Sequence, residues 1–565
     1  MSNELNGAEA LLRMLELNGV DTVFGLCGDT SLPLYDAFFK DGRGIRHILT
    51  RDERSAAYMA DGYARVTGKV GVCEGPSGGG ATYLLPGIVE ANESSVPVLG
   101  ITSDVSVASR GRFPLTELDQ KGLYRPLTKW NTVLDRAVDL PRAMRAAFRA
   151  MTTGKPGSAH IGLPFDVQTG TVPESEIWAQ PEHGRAPAWR SAPAVDDVER
   201  AADLMVGARR PVFLVGGGVI AADASDVLAR LAERLDAPVT TTVSGKGALA
   251  ETHDLCAGVV GSNGGVRATR AVIDAADLVV IVGCRAGSTS TEHWRHPAPS
   301  VPIVHIDVDP AAIAVNYSTE VALVGDAKLA LEALDAAVAD RLAGRPPRDG
   351  AGRALVAEAK RVKWSAFAAL AASDEMPIRP ERLIRDLAAA LPDTAVVVAD
   401  PGTPCPYVSA YYELRRPGRH FVTNRAHGAL GYSMSAATGA RIGRPGAQVV
   451  AIMGDGSFGF TVGELETIVR LKVPILMIVI SNSVFGWIKA SQRAGYGERY
   501  FSVDFDRTDH ARIASAYGVT AFRVEDPRDL APTLAKALAH DGPVLLDVIS
   551  QPLQEAAAPV SQWMG

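Results

Sequence analysis

Apolar runs of strand length alternate with helical patterns along almost the whole chain. TVFGL near the N-terminus, PVFLVGGG in the middle and QVVAIMG towards the end are three such runs, and each lies next to a segment with helical periodicity. Alternation of this kind is typical of parallel α/β layers. The pattern therefore predicts an α/β fold built from doubly wound parallel sheets.

The alternation is interrupted twice, and the interruptions divide the chain into three parts. Residues 170–195 are rich in Pro, Ala and polar residues and are predicted to form a linker, and a second interruption is AGRPPRDGAG at 343–352. Each part opens with a helical segment followed by an apolar strand, and the first helix is predicted to end at Asn18-Gly19 as a C-cap does. We predict three α/β domains, at residues 1–175, 190–342 and 375–565.

Composition and charge argue against several classes of partner and site. The chain has 565 residues, a net charge of −7 and no cluster of Lys and Arg, so a nucleic-acid or anionic-membrane partner is not expected. Its longest apolar runs, such as VPILMIVI, are too short to cross a bilayer. The five cysteines form no CxxC pair, which argues against a disulfide scaffold or a zinc site. With no basic start or apolar core to indicate a signal peptide, we expect a cytoplasmic protein.

Two polar groups follow neighbouring predicted strands in VVAIMGDGSFGFTVGELETIVRLKVPILMIVISNSVFGWIK. Asp455 lies between two glycines after the first strand, and Asn482 closes the second. Carboxyl ends of parallel strands are where open α/β sheets bind ligands, and carboxylate and amide oxygens suit Mg²⁺. Glycine next to Asp455 would let backbone N–H groups approach a phosphate. The alternative interpretation of this segment is a tight turn with a capping Asn. Separately, Thr461 and Glu464 have the spacing of a capping box at the start of the helix that follows.

The spacing of GDG and Asn482 resembles the thiamine diphosphate (ThDP) binding motif of the ThDP-dependent enzyme family. RDERSAAYMADGYARVTGKVGVCEGPSGGGATYLLPGI resembles the family's pyrimidine-binding block, and VHIDVDPAAIAVN with VGDAKLALEAL is similar to the end of its central domain. The resemblance covers essentially the whole chain and is closest to the acetolactate synthase, 2-oxo acid decarboxylase and 2-hydroxyacyl-CoA lyase group. It implies pyrimidine-binding, central and diphosphate-binding domains, with ThDP and Mg²⁺ as cofactors.

Catalytic and metal-binding roles carry over from the resemblance to matching residues. Glu53 matches the glutamate that bonds N1′ of the aminopyrimidine and so promotes loss of the thiazolium C2 proton. Its alternative role is structural, because Thr50 to Glu53 also has capping-box spacing. Asp455 and Asn482 match the Mg²⁺ ligands, with the backbone carbonyl of Val484 as the third protein ligand.

The resemblance also assigns residues to the cofactor itself. Gly428 matches the residue whose carbonyl receives the 4′-amino hydrogen, and Leu430 matches the apolar residue that bends the cofactor, although a leucine between glycines is also typical of plain core. The diphosphate is expected against two loops, which comprise Gly402, Thr403, Gly454, Gly456, Ser457 and Phe458.

The substrate pocket is expected to combine several segments. FGLCGDTSLPLYDA, with Cys27 and Gly28, resembles the loop that faces the cofactor from the partner subunit, and Asp29 matches either a proton relay or an ordinary N-cap. His427 either reaches the substrate or is structural. The remaining pocket candidates are Thr116, Phe485, Trp487 and Gln492.

Three positions differ from acetolactate synthases. Thr116 stands where they usually have glutamine, Leu430 where they have methionine, and GCRAGSTSTEHW replaces a segment that helps to hold FAD. The central domain, whose Val215–Gly218 loop follows a strand, is therefore left with three possibilities: FAD, an ADP-type nucleotide, or neither.

Three functional hypotheses follow. The leading one is an acetolactate-synthase-like carboligase that decarboxylates a 2-oxo acid and transfers the acyl carbanion to a carbonyl acceptor. The second is a lyase, either a 2-oxo acid decarboxylase or a 2-hydroxyacyl-CoA lyase. The third is a non-catalytic relative that binds nucleotide. Because the family builds each site from two subunits, the resemblance also implies a homodimer or homotetramer.

Overall fold

The computed structural model describes residues 4–556 and 558–560. The described chain forms two compact units. One unit contains the residues up to Trp189 together with Asn424–Val449 and Gly459–Ile475. The other contains Arg190–Thr423, Val450–Phe458 and the chain from Leu476 onwards.

The N-terminal part is built on a six-stranded parallel sheet of order β3-β2-β4-β5-β7-β6, and a small antiparallel pair joins β1 to β8. The strands are β1 (Glu4–Asn6), β2 (Thr22–Gly25), β3 (Arg46–Leu49), β4 (Gly71–Gly75), β5 (Val98–Asp104), β6 (Trp130–Val133), β7 (Ala159–Pro164) and β8 (Thr171–Pro173). The helices are α1 (Gly7–Leu17), α2 (Leu32–Asp41), α3 (Glu53–Thr67), α4 (Gly79–Tyr83), α5 (Leu85–Glu93), α6 (Gln120–Tyr124), α7 (Leu140–Thr152) and α8 (Phe165–Thr169).

The central part has a second six-stranded parallel sheet, of order β11-β10-β9-β12-β13-β14. Its strands are β9 (Pro211–Val215), β10 (Val239–Thr241), β11 (Cys256–Val259), β12 (Leu278–Val282), β13 (Ile303–Asp307) and β14 (Val321–Val324). Its helices are α9 (Val195–Gly207), α10 (Gly217–Ala221), α11 (Ser225–Leu235), α12 (Arg267–Asp274), α13 (Ser288–Thr291) and α14 (Ala327–Leu342), and α15 (Ala351–Ala371) follows.

The C-terminal part has a third sheet, of order β16-β15-β17-β18-β20-β19, again with parallel pairing. Its strands are β15 (Val396–Ala399), β16 (Phe421–Thr423), β17 (Val449–Gly454), β18 (Leu476–Ser481), β19 (Thr520–Val524) and β20 (Val544–Ile549). Its helices are α16 (Pro380–Ala390), α17 (Pro404–Tyr411), α18 (Ser433–Gly443), α19 (Asp455–Thr461), α20 (Leu465–Arg470), α21 (Gly486–Gly495), α22 (His510–Ala516) and α23 (Pro527–Leu538).

Apolar side chains cover both faces of these sheets, as the near-continuous apolar strands require. On β9, Phe213 and Val215 belong to one buried cluster, whereas Val212 and Leu214 belong to another. Successive strand residues point to opposite faces, so helices must cover both sides. The predicted α/β class with doubly wound parallel sheets is confirmed.

Helix ends follow local signals at the N-terminus. Asn6 and Glu9 form a reciprocal capping box at the start of α1. Asn18 is its C-cap, and Gly19 has a φ of +73°, a left-handed conformation that glycine adopts without strain. The predicted helix end at Asn18-Gly19 is therefore confirmed.

One local prediction was wrong, and another needs a detail added. The predicted capping box of Thr461 and Glu464 does not form, since the Thr461 side chain makes no cap hydrogen bond and a helix already begins at Asp455. Glu464 instead accepts the backbone N–H of Arg51 at 2.8 Å, a distant contact that takes its carboxylate away from the local cap. The predicted linker at 170–195 begins with a strand, because β8 pairs with β1. Among the described residues, no helix is both long and apolar enough to span a membrane.

Candidate active site

Asp455 is held by backbone N–H groups from two neighbouring strand ends. β17 and β18 pair in parallel, and this brings the residues after β18 next to the start of α19. One carboxylate oxygen accepts N–H bonds from Asn482 at 2.8 Å and Ser483 at 2.6 Å, and the other accepts that of Gly456 at 2.9 Å. Burial raises the pKa of Asp455, against the lowering effect of these donors. A divalent cation would favour the ionised carboxylate that burial disfavours.

Asn482, the second predicted metal ligand, lies beside Asp455 and donates its backbone N–H to that carboxylate. The residue is half-buried, and none of the hydrogen bonds between described residues uses its side-chain amide. The loop after it is fixed by a bridge between Val484 and Asp504 and by the Phe485 N–H, which donates to the Val503 carbonyl at 2.9 Å. A carboxylate, an unused amide oxygen and a loop carbonyl fit the oxygen ligands of Mg²⁺.

The two glycines of the GDG segment lie in different surroundings. A Cβ atom on Gly454 would meet nothing within 4 Å, so space is open there. On Gly456 it would lie 2.7 Å from the ring of Phe485, so this glycine is required by packing against a predicted pocket residue. The Ser457 hydroxyl donates to Asp400, and Phe458 is buried, with its ring edge-on to His510. Contact of this turn with a diphosphate would thus come from backbone N–H groups.

The second predicted diphosphate loop lies near the loop that is predicted to bind the metal. Gly402 has a φ of +85°, and Thr403 is buried at the start of α17. A Cβ atom on Gly486 would lie 3.1 Å from the Thr403 hydroxyl, so this glycine permits close approach of the segment that follows Asn482. The structure therefore places Thr403 beside the segment that follows Asn482.

Glu53 is a buried acid at the first position of α3. Asp52 is the N-cap and accepts the N–H of Arg54 at 2.8 Å, while Thr50 donates its hydroxyl to the Gly25 carbonyl. The alternative of a Thr50–Glu53 capping box is therefore wrong. Glu53 is 5% exposed and needs two glycines for space, since a Cβ atom on Gly75 or Gly80 would come within 3.2 Å or 3.0 Å of its side chain.

The surroundings of Glu53 favour its protonated form. Burial raises its pKa, a backbone N–H opposes this rise, and the neighbouring carboxylates of Asp52 and Glu74 add to it. Glu74 itself is buried and hydrogen-bonded to Tyr35 at 2.5 Å and His47 at 3.2 Å. A carboxyl group that retains its proton can donate a hydrogen bond to a ring nitrogen, as the predicted role requires.

Residues 427–432 carry three predicted site residues. His427 is exposed, Leu430 is half-buried, and Gly428 has a φ of +73°. Glu90 accepts the backbone N–H of His427 at 2.7 Å, a contact that sequence reasoning missed. Its only sequence signal is a charged residue on the apolar face of a helix.

Hydroxyl groups connect the predicted pocket loop to Thr116. The Thr30 hydroxyl lies 3.0 Å from that of Ser77, which in turn lies 2.7 Å from that of Thr116. Thr116 itself is exposed, with a φ of +72°. The structure therefore brings the 27–30 loop and Thr116 together.

Cys27 and Asp29 are exposed in the same loop, and Gly28 precedes a short 3₁₀ turn. The N-cap alternative for Asp29 was wrong, because the Ser31 hydroxyl, not the Asp29 carboxylate, bonds the backbone of Gly28. In the described chain no hydrogen bond or ion pair engages the Asp29 side chain. It is thus available to a ligand.

The three pocket candidates after Asn482 differ in their contacts. Phe485 is 37% exposed and packs edge-on to Phe505 at 5.3 Å. Trp487 packs against the C-terminal core. The Gln492 amide bonds both backbone groups of Phe501 at 3.1 Å, so it fixes the chain there instead of facing a ligand.

The Val215–Gly218 loop of the central part has a packing reason of its own. Gly216 donates its N–H to the Val282 carbonyl, and Gly218 donates to that of Gly283 at 3.1 Å. A Cβ atom on Gly218 would lie 2.6 Å from the Gly283 Cα. Close approach of two backbone segments therefore explains the glycines without a nucleotide.

Comparison with known proteins identifies three family models along the chain. Residues 5–123 match the thiamine pyrophosphate enzyme N-terminal TPP binding domain, 198–334 the central domain, and 400–548 the C-terminal TPP binding domain. A probable acetolactate synthase large subunit of Methanocaldococcus jannaschii is 35% identical over 97% of this chain and 93% of that protein. A similar subunit of Methanococcus aeolicus is 33% identical over 97% and 92%, and an acetolactate synthase of Mycobacterium bovis is 33% identical over 97% and 88%.

Proposed function

The chain belongs to the ThDP-dependent enzyme family, on its acetolactate-synthase-like branch, and we propose that it is a Mg²⁺-dependent carboligase that decarboxylates a 2-oxo acid and transfers the acyl unit to a carbonyl acceptor. One observation carries this proposal. Glu53 is a buried acid with a raised pKa, in keeping with the proton-holding group that the chemistry needs. The Asp455 carboxylate beside the unused Asn482 amide supports the metal role.

The chain's residues would divide the work as follows. When bound, ThDP supplies a nucleophilic thiazolium carbon and an electron sink for the carbanion left by loss of CO₂. Glu53 would hold a proton against N1′ of the aminopyrimidine. The Gly428 carbonyl would accept from the 4′-amino group, and Leu430 would fix the bend. Asp455, Asn482 and the Val484 carbonyl would hold Mg²⁺ against the diphosphate.

The fate of the acyl carbanion separates carboligase from lyase. Asp29 is exposed in the predicted pocket loop and forms no hydrogen bond or ion pair with another described side chain. This position supports a second candidate function, that of a lyase. An acidic side chain there would be placed to supply a proton to the acyl unit, and free aldehyde would then be the product, as for a 2-oxo acid decarboxylase. A 2-hydroxyacyl-CoA lyase is the other form of this alternative. The third hypothesis, a non-catalytic relative, is set aside because Glu53, Asp455 and Asn482 are all present.

We further propose that the working form is at least a homodimer, in which Glu53 of one copy serves the cofactor bound through Asp455 of another. Phe113 and Leu115 support this, since both are apolar and are 97% and 88% exposed. A homotetramer is an extension of the same proposal.

The five cysteines are free thiols, in keeping with a reducing cytoplasm. Absorbance of the purified chain would test for a bound flavin or ADP-type nucleotide.

Product analysis by proton NMR tests the reaction. The chain is supplied with ThDP, Mg²⁺ and pyruvate, with and without an aldehyde acceptor. We expect acetolactate or another acyloin from the wild type, little product from Glu53→Gln, and unchanged product from Glu93→Gln, an exposed acid used as a control. Free aldehyde as the sole product would assign the chain to the lyases. No product from pyruvate or other 2-oxo acids, with or without CoA thioesters, would refute the proposal.

A further inference from the structure

Two helices of the N-terminal unit carry a buried group of charges. Asp61 and Arg65 lie one turn apart on α3, and Glu90 lies on α5. Arg65 donates to Asp61 at 2.7 Å and to Glu90 at 3.0 Å, and both carboxylates are 0% exposed. One guanidinium between two buried carboxylates leaves an excess of negative charge, which is costly unless further donors reach the carboxylates.

One further donor to Glu90 is the Ser94 hydroxyl at 2.5 Å, and the others come from residues 427–432. Glu90 uses its second oxygen to accept the backbone N–H of His427 at 2.7 Å and that of Gly428 at 3.4 Å. At the other end of the segment, the Tyr432 hydroxyl donates to Asp61. Both ends of this segment are therefore fixed to the same buried charges.

The segment has little conformational preference of its own. Gly428 and Gly431 have φ values of +73° and +84°, and glycine populates many alternatives to such conformations. Just before the segment, Asn424 donates from its side-chain amide to the Ala429 carbonyl at 2.6 Å. Long-range contacts must supply the remaining order, and the bonds to Glu90 have a charged acceptor, which makes them the strong kind.

We propose that Glu90 is a positioning residue for the cofactor. Its carboxylate fixes the backbone at His427 and Gly428, so that the Gly428 carbonyl and the Leu430 side chain are ordered before the aminopyrimidine ring binds. The inference rests on the proposed function. Preordering of this kind increases the affinity for the cofactor, because the entropy cost of ordering residues 427–432 falls on folding and not on binding.

Amide hydrogen exchange of the full chain, without cofactor, tests the anchoring directly. In Glu90→Gln the amide has one oxygen where two acceptors are needed, so we expect exchange in residues 424–432 to accelerate about tenfold or more. Exchange in β5 should be unchanged. The control Glu93→Gln, on the same helix but exposed, should leave residues 424–432 unchanged. Tyr432→Phe, which removes only a hydroxyl group, should give a smaller acceleration and serves if Glu90→Gln does not fold.

A titration with ThDP and Mg²⁺, followed by tryptophan fluorescence, tests the link to the cofactor. We expect apparent ThDP affinity to fall about tenfold in Glu90→Gln and to be unchanged in Glu93→Gln. Unchanged exchange in residues 424–432, or acceleration spread evenly over the N-terminal unit, would overturn the proposal. So would accelerated exchange with unchanged ThDP affinity. If the wild type binds no ThDP, the proposed function fails, and the exchange result still reports separately on the anchoring.

Discussion

Asp455 and Glu53 are both buried carboxyl groups, yet the chain holds them in different ways. Asp455 is fixed by three backbone N–H groups, which come from the turn it begins and from the end of the adjacent strand. Glu53 is placed by the absence of side chains at Gly75 and Gly80 and lies near other acids. Around Asp455 the donors favour the charged form against the effect of burial, whereas around Glu53 the neighbouring acids add to the effect of burial in favouring the proton.

The largest effect is expected at Glu53. Glu53→Gln removes the acid and should lower kcat by about 10²- to 10⁴-fold, the range typical of general acid–base catalysis. Mg²⁺ affinity should be unchanged, because no backbone donor is disturbed at Asp455. Initial rates and a Mg²⁺ titration of the same preparation check both expectations. Equal losses in rate and Mg²⁺ affinity would show that the two carboxyl groups do not have separate roles.

Asp455→Asn should produce the opposite pattern. The asparagine amide replaces one carboxylate oxygen with an NH₂ group, which cannot accept the backbone N–H bonds made to that oxygen. The variant therefore loses hydrogen bonds to a charged acceptor and a charged metal ligand at the same time. We expect Mg²⁺ affinity to fall about 100-fold or more, which corresponds to about 3 kcal/mol. Isothermal titration of Mg²⁺ in the presence of ThDP measures it. Retention of wild-type affinity would remove Asp455 from the metal site.

The difference between the two groups also explains what the sequence could predict. Asp455 and Asn482 follow adjacent parallel strands, so the strand pattern with residue chemistry was enough to place them together. The class of the fold followed from the same alternation. Neither of these two predictions depends on a contact other than that between neighbouring strands.

Contacts between distant parts of the chain were not predictable in this way. Glu464 was expected to cap its own helix, but it accepts an N–H from Arg51, 413 residues away. Glu90 and His427 are 337 residues apart. For Gly456 the sequence indicated contact with a diphosphate but not a packing constraint, and a Cβ atom there would lie 2.7 Å from the Phe485 ring. Such pairings depend on how separate elements pack, which periodicity does not encode.

Gly456→Ala tests the packing side of the comparison. The new methyl group would meet the Phe485 ring, and overpacking of this kind costs about 1–3 kcal/mol of unfolding free energy. Phe485→Leu in the same chain should recover most of the loss, giving a coupling energy in a double-mutant cycle. Denaturant unfolding measures the four variants. Gly454→Ala is the matched control, because nothing lies within 4 Å of its Cβ position, and an equal loss there would point to the backbone instead of the ring.

The most gradual effect, spread over several pH units, concerns a third buried acid, Glu464, whose burial, like that of Glu53, disfavours the charged form. Burial raises its pKa from 4.5 to about 7, against the lowering effect of the Arg51 backbone N–H that it accepts. Since the folded state binds the proton more tightly, this contribution to stability is fully present below pH 4.5 and is lost as the pH rises through 7. Its slope is at most about 1.4 kcal/mol per pH unit. Glu464→Gln should flatten the fall in unfolding free energy between pH 4.5 and 7, whereas Glu93→Gln should leave it unchanged. An identical slope in wild type and Glu464→Gln would mean that Glu464 is ionised in the folded state. Glu464 would then resemble Asp455, which is held by hydrogen-bond donors, more than it resembles Glu53.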